Sequence, residues 1–237
     1  MHEPVGCGDG GKSLKRNPGG FDIPEATIGR LPLYLDKLKL LQAIGVEDVS
    51  SRQLAESLDI KASQLRHDFH YFGGFSRPGR PYQVRKLVTA LEQIIGIDRP
   101  VPSVIVGAGH LGQALANYQN LDLQGFPLRG IFDINPKLVG LEIRGQPIRD
   151  LDELEPVCAR EQIKIGIITV PASAAQAIAN RLVASGVIGL FNFAPTDLKV
   201  PATVAVRNER ITVGIMALSF KVKCLAALGE IATAGQD

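Results

Sequence analysis

Cysteine is scarce in this sequence. Cys7, Cys158 and Cys224 are far apart and odd in number, so neither a disulfide framework nor a cysteine-type zinc site is expected. Long apolar runs are missing too. None approaches the ~20 residues that cross a bilayer, and the N-terminus lacks the apolar stretch of a signal peptide. A cytoplasmic protein with no membrane partner is expected. Nor is there a marked excess of charge of either sign: 26 Lys and Arg face 24 Asp and Glu. What is present, 45% hydrophobic and 21% charged residues in 237, describes a soluble globular chain with room for two modest domains.

The small net charge hides an asymmetry. From Ile60 to Lys86 six basic residues (Lys61, Arg66, Arg77, Arg80, Arg85, Lys86) accompany one acid, Asp68. Beyond residue 99, twelve basic residues balance twelve acids. Positive charge is therefore gathered in the first half, as a segment that meets a polyanion requires.

The most informative stretch is Pro102–Leu115. A β-branched run (Val104, Ile105, Val106) enters Gly107, Ala108, Gly109, His110, Leu111 and Gly112, and an Ala/Leu-rich helical stretch follows. Strand, glycine turn and helix start in this order form the dinucleotide fingerprint. Gly107 makes the turn, Gly109 admits a pyrophosphate to the backbone, and Gly112 lets the helix pack on the sheet. Free N–H groups at the helix start suit a diphosphate. A second apolar run, Leu128–Phe132, ends at Asp133, 21 residues beyond Gly112. An acid there accepts the ribose hydroxyls of the adenosine half and repels the extra phosphate of NADP, so NAD(H) is the expected cofactor. The alternative is a glycine turn in an α/β protein that binds no dinucleotide.

Met1–Gly20, with six glycines and two prolines, reads as a disordered tail. Ile28, Leu31, Leu35 and Leu38 recur at helical spacing, with Pro32 near the helix start and Gly45 as the stop. Ser50 and Gln53 form a capping-box pattern ahead of a short helix. Asp59–Lys61 is a tight connection, and Ala62–Phe72 a third helix with Leu65, Phe69 and Phe72 on one side. At 100° per residue, Ser63, Arg66, His67 and His70 point the other way. This is a helix-turn-helix whose second helix suits a DNA major groove. The following Gly/Pro-rich loop carries Arg77 and Arg80, as a wing on the phosphates or in the minor groove does. A fourth helix is expected over Tyr82–Ile95. A small helical bundle that never touches DNA is the alternative.

In the second half, strands are expected at Ile163–Val170, Val187–Phe191 and Thr203–Val206, with a helix over Ala172–Ala184 between the first two. The expected fold is α/β: an N-terminal winged helix-turn-helix and a C-terminal Rossmann doubly wound parallel sheet. Residues 1–22 are assigned to the tail, 23–98 to the DNA-binding domain, 99–212 to the Rossmann domain and 213–237 to a C-terminal dimerisation helix. That last stretch is apolar on several sides, so it should be buried in another element or another subunit. The carboxyl ends of the strands bring Thr169, Val170 and Asn192 beside the cofactor.

Pro24–Tyr34, Leu65–Gly73, Gly107–Leu115, Asn117–Tyr118, Thr169–Ala172 and Asn192–Pro195 together resemble the Rex family of bacterial redox-sensing transcriptional repressors. The resemblance runs from about Ile23 to Phe220 in order. It implies a homodimer with an exchanged C-terminal helix, a palindromic double-stranded operator, and release of that operator as NADH rises. By motif position it implies DNA contacts from Arg66, His67, Arg77 and Arg80, and a dinucleotide held by Gly107–Gly112, Asp133, Thr169 and Asn192. Arg30 and Tyr118 match an arginine and a tyrosine that couple the nicotinamide to domain orientation, together with an acid.

Four positions depart from that pattern. His67 replaces a lysine, and His110 an asparagine or arginine. At Arg210–Ile211 the family has the coupling acid followed by an aromatic, which opens the reading of a paralogue with an altered or absent switch. Two arginines would repel unless Glu209 turns in. An NAD-dependent oxidoreductase is the rival function. Tyr118 has no lysine four residues on, and no placed catalytic set lies at a strand end, so a non-enzyme is expected. A third reading is a ligand-binding scaffold whose helical domain contacts protein.

Overall fold

The computed structural model describes residues 23–73, 75, 80–118 and 120–234. The expected tail, Arg77 and Cys7 lie outside these residues. The chain divides into two compact units between Pro100 and Val101.

The first unit is helical. α1 spans Glu25–Ala43, α2 Ser51–Glu56, α3 Ala62–His70 and α4 Val84–Ile95. Two short strands, β1 (Asp48–Val49) and β2 (Tyr82–Gln83), pair antiparallel between them. Local chemistry explains the boundaries. Gln53 N–H donates to the Ser50 hydroxyl while Gln53 Oε1 accepts from Ser50 N–H, so the capping box forms as expected. Asp59 (φ 53°) turns the chain between α2 and α3. Pro32 lies well inside α1 rather than near its start, and the carbonyl it frees belongs to Ile28 on the exposed side. The third helix ends at His70, two residues short of expectation. Tyr82 and Gln83 form a strand where a helix was expected: pairing with β1 buries the Tyr82 ring. Leu31, Leu35, Leu38, Leu54, Leu65, Phe69, Leu87 and Leu91 form the core that all four helices share.

The second unit is an α/β sheet. Its strands are β3 (Ser103–Val106), β4 (Leu128–Asp133), β5 (Glu142–Ile143), β6 (Gln146–Asp150), β7 (Ile165–Ile168), β8 (Gly189–Asn192) and β9 (Ala205–Asn208). They lie in the order β5-β6-β4-β3-β7-β8-β9, parallel except for β5 on β6. Without β5, this is the Rossmann order 3-2-1-4-5-6, whose crevice opens where the order reverses, between β3 and β7. Side chains alternate across the sheet. Val104, Val106 and Ile168 face α7 (Leu154–Arg160) and α8 (Ala172–Ala184). Ile105, Ile131 and Ile167 face α5 (His110–Asn117), which is followed by the short α6 (Asn120–Leu123). Helices on both faces make the sheet doubly wound, as expected. The hairpin β5–β6 and helix α7 were not anticipated. The last helix, α9, runs Ile211–Ala234 and leaves Ile215, Met216, Leu218 and Phe220 exposed.

Candidate functional site

Two sites are built, one in each unit. In the second, β3 ends at Val106 and the backbone turns at Gly107, where φ is 102°, a left-handed value that strains any residue with a side chain. A Cβ at Gly107 would lie 2.8 Å from the Thr169 carbonyl, and one at Gly112 only 1.8 Å from the Gly107 oxygen. The turn therefore folds back under the first turn of α5 at a separation only glycine permits. Thr169 clamps it from the neighbouring strand: its hydroxyl lies 2.6 Å from the Gly107 oxygen and 3.1 Å from that of Val106. Asp133, at the end of β4, clamps it from the other side. One carboxylate oxygen accepts Ala108 N–H at 2.6 Å, and the other accepts Asn135 N–H at 2.8 Å.

These ends enclose a cleft of about 650 Å³ at the switch point. Gly107, Gly109, Asp133, Thr169 and Val170 line it, all expected from the sequence. Ile134, Leu138, Leu151, Ala174, Ala177, Ile178 and Arg181 also line it and were missed. Ala174, Ala177, Ile178 and Arg181 follow i, i+3, i+4, i+7 spacing, so the small-residue face of α8 was available as a signal. Arg181 is fixed by a two-point contact with Glu155 at 2.5 and 2.8 Å and by the Leu151 carbonyl. Its guanidinium holds the Glu155 carboxyl below its ordinary range. At the opposite edge, α5 opens with N–H groups that have no carbonyl one turn back, an anion site in waiting.

Other expected residues fall outside the cleft lining. Ala108 and Gly112 are buried in the turn, while His110, Leu111 and Tyr118 are exposed. Asn192, expected beside the cofactor, does not line the cleft. It is 0% exposed, and its side chain bridges Ala194, Thr196 and Asn208. It shapes the loop after β8 instead. Arg210 also differs from expectation: its partner is Asp197 at 2.5 Å, while Glu209 lies 3.7 Å from Arg207. The pair joins Arg210 to an acid thirteen residues upstream within the second unit.

In the first unit, α3 buries Leu65 and Phe69 and exposes Ser63, Arg66, His67 and His70, the face expected from the helical period. Arg66 Nη1 donates to the Ser51 hydroxyl at 3.2 Å, and His67 Nε2 lies 3.3 Å from the Tyr71 hydroxyl. Arg80 is exposed beyond the loop. Sequence reasoning missed the centre of this unit. Asp68, wholly buried on α3, accepts from Thr27, from Arg30 twice, from Tyr34 and from Gln64, at 2.5–3.0 Å. Burial alone would raise its pKa, but the Arg30, Tyr34, Gln64 and Thr27 donors outweigh that and lower it. Arg30, expected as a coupling residue, is thus engaged with α3.

A family model described as "Putative DNA-binding protein N-terminus" matches residues 22–69, and one described as "CoA binding domain" matches residues 98–196. The redox-sensing transcriptional repressor Rex of Thermoanaerobacter sp. (strain X514) is 43% identical over 200 residues, 84% of this chain and 89% of that protein. The chain belongs to the Rex family. Rex of Clostridioides difficile (strain 630) is 40% identical over 86% of this chain and 98% of its own. Among solved structures, the Rex-family repressor RSP with β-NAD+ and operator DNA superposes with a TM-score of 0.81 at 40% identity, covering 88% of this chain and 96% of that one. RSP with β-NADH gives a TM-score of 0.79 at 39% identity, covering 88% of this chain and 98% of RSP. The Rex likeness therefore spans both units and both sites.

Proposed function

We propose that this chain is a DNA-binding transcriptional repressor that senses cellular redox state through the NADH/NAD+ ratio. One observation carries the reading: a Rossmann cleft with its glycine turn and acid, and an outward cationic helix, occur together in a chain of the Rex family. RSP, similar over both units, is known with both nicotinamide forms and with operator DNA.

The N–H groups of Gly109, His110 and Leu111 take the diphosphate, and Asp133, while holding Ala108 N–H and Asn135 N–H, accepts the adenosine ribose hydroxyls with its remaining lone pairs. Val170 and the α8 face supply the apolar wall. Ser63, Arg66, His67 and His70 read the major groove, and Arg77 and Arg80 contact the flanking groove or its phosphates. The repressor acts in the cytoplasm as a homodimer on a palindromic operator and performs no catalysis. Among the described residues no helix is long and apolar enough to cross a membrane.

NADH can release operator only by favouring the dimer that does not fit it, and DNA must then weaken NADH by the same factor. Operator-binding titrations at varied NADH/NAD+ ratio test this, with Arg66→Ala as the control that abolishes the shift. Equal operator affinity with either form would refute sensing while leaving DNA binding intact. NADPH and coenzyme A, tested by calorimetry, are expected to bind far more weakly than NADH.

A second reading is supported by Arg210, which pairs with Asp197, and by Ile211, where the family resemblance places an acid and an aromatic. In that reading the chain binds DNA and NAD(H), but the switch through Arg30, Tyr118 and residue 210 is altered. Repeating the titration with Arg210→Asp separates the two: a larger NADH response in the variant marks the altered switch.

A further inference from the structure

Asp68 sits on the reading helix but faces away from the surface that would meet DNA. The buried carboxylate has no place in the chemistry of either site. Its donors are arranged unevenly: Gln64 comes from one turn back on α3, whereas Thr27, Arg30 and Tyr34 all come from α1. Residues 27, 30 and 34 form one stripe of α1 at i, i+3, i+7, so one helix face is docked on one carboxylate. Tyr34 is held further by an edge contact between its ring and Phe69, 5.4 Å between centroids.

We infer that Asp68 is a positioning residue that fixes the rotation of α3 about its own axis, and thereby sequence discrimination on DNA. The inference rests on the DNA-reading function proposed above. Asp68 is adjacent to His67 and two residues from Arg66, so locking its side chain sets the direction of theirs. The other contacts of α3 are weaker guides: its N-cap Lys61 makes no side-chain cap, Arg66 makes only an exposed bond to the Ser51 hydroxyl, and the apolar contacts of Leu65 and Phe69 permit rolling more readily than buried, directed hydrogen bonds do. A rotation of about 20° moves side chains at the ~5–6 Å helix surface by ~2 Å, enough to break a two-point contact with a base edge. Phosphate attraction, being long-ranged, survives such a shift.

The two effects can be separated experimentally. A duplex that the wild-type full chain selects from a random-sequence pool serves as the specific probe, and a random duplex of equal length as the non-specific one. For Asp68→Asn the affinity for the selected duplex should fall at least about tenfold, the scale of one lost base contact. Affinity for the random duplex, and its salt slope, should stay within about twofold, because no phosphate contact is removed. Tyr34→Phe, which keeps the ring and removes one donor, should give a smaller loss in the same direction. It also serves as the readout if Asp68→Asn fails to fold. Arg30→Gln in the Asp68→Asn background should add less than it does alone, since both act through one contact. Unchanged discrimination in folded Asp68→Asn or Tyr34→Phe, or an equal loss on both duplexes, would overturn the positioning role. A wild-type chain that selects no sequence would instead remove the DNA reading, and this inference with it.

Discussion

At Gly112 an added methyl would stand 1.8 Å from the Gly107 carbonyl oxygen, a backbone atom that cannot swing aside. Gly112→Ala should therefore destabilise the second unit by about 3 kcal/mol through overpacking and should abolish NADH binding. Urea unfolding and calorimetry check the two effects; a variant of wild-type stability would show that the turn can relax. Asp68 carries a pH dependence whose sign follows from its lowered pKa. Its stabilising contribution is complete above the ordinary carboxylate range, about pH 4, and is lost as pH falls through the lower folded-state value. The urea midpoint of the first unit should drop on acidification more steeply in the wild type than in Asp68→Asn. Cys158, by contrast, is an inert core thiol: burial, with Glu155 nearby, pushes its pKa up to about 11.

Among the elements, α2 shows how much a short helix owes to its ends. It has six residues, below the length at which helices persist in isolation, and the reciprocal Ser50–Gln53 bonds satisfy its first donors. Ser50→Ala should cost about 1 kcal/mol of first-unit stability, read as a lowered urea midpoint. An unchanged midpoint would mean that packing of Leu54 and Ala55 alone holds α2. In the sheet, the cleft exists because Asp133 ends β4, Thr169 follows β7, and the two grip the same turn from either side of β3. Neither residue could do so from within its own element.

For the molecule as a whole, α9 poses the question of assembly. Ile215, Met216, Leu218, Phe220 and Leu225 are all exposed, far more apolar surface than a helix leaves in water on its own. The homodimer proposed above would cover it. Light scattering should show a dimer for the full chain, and a monomer or an aggregate after truncation following Arg210. A monodisperse monomer of the full chain would remove the dimer and, with it, the paired reading of a palindrome.

Much of this protein follows from local sequence alone. The glycine turn, the strand before it, the acid of Asp133, the bounds of α8 and the cationic face of α3 rest on spacing and backbone chemistry within a few residues of one another. Periodicity could not supply contacts between distant segments. The Asp68 cluster joins residues 34 to 41 positions apart, save for Gln64 on its own helix. The inward turn of Asn192, the Arg210–Asp197 pair and the grip of Thr169 on Gly107 likewise depend on how loops and strands meet. A polar side chain's role is decided by which donors and acceptors lie within 3 Å of it, and only the folded chain sets that.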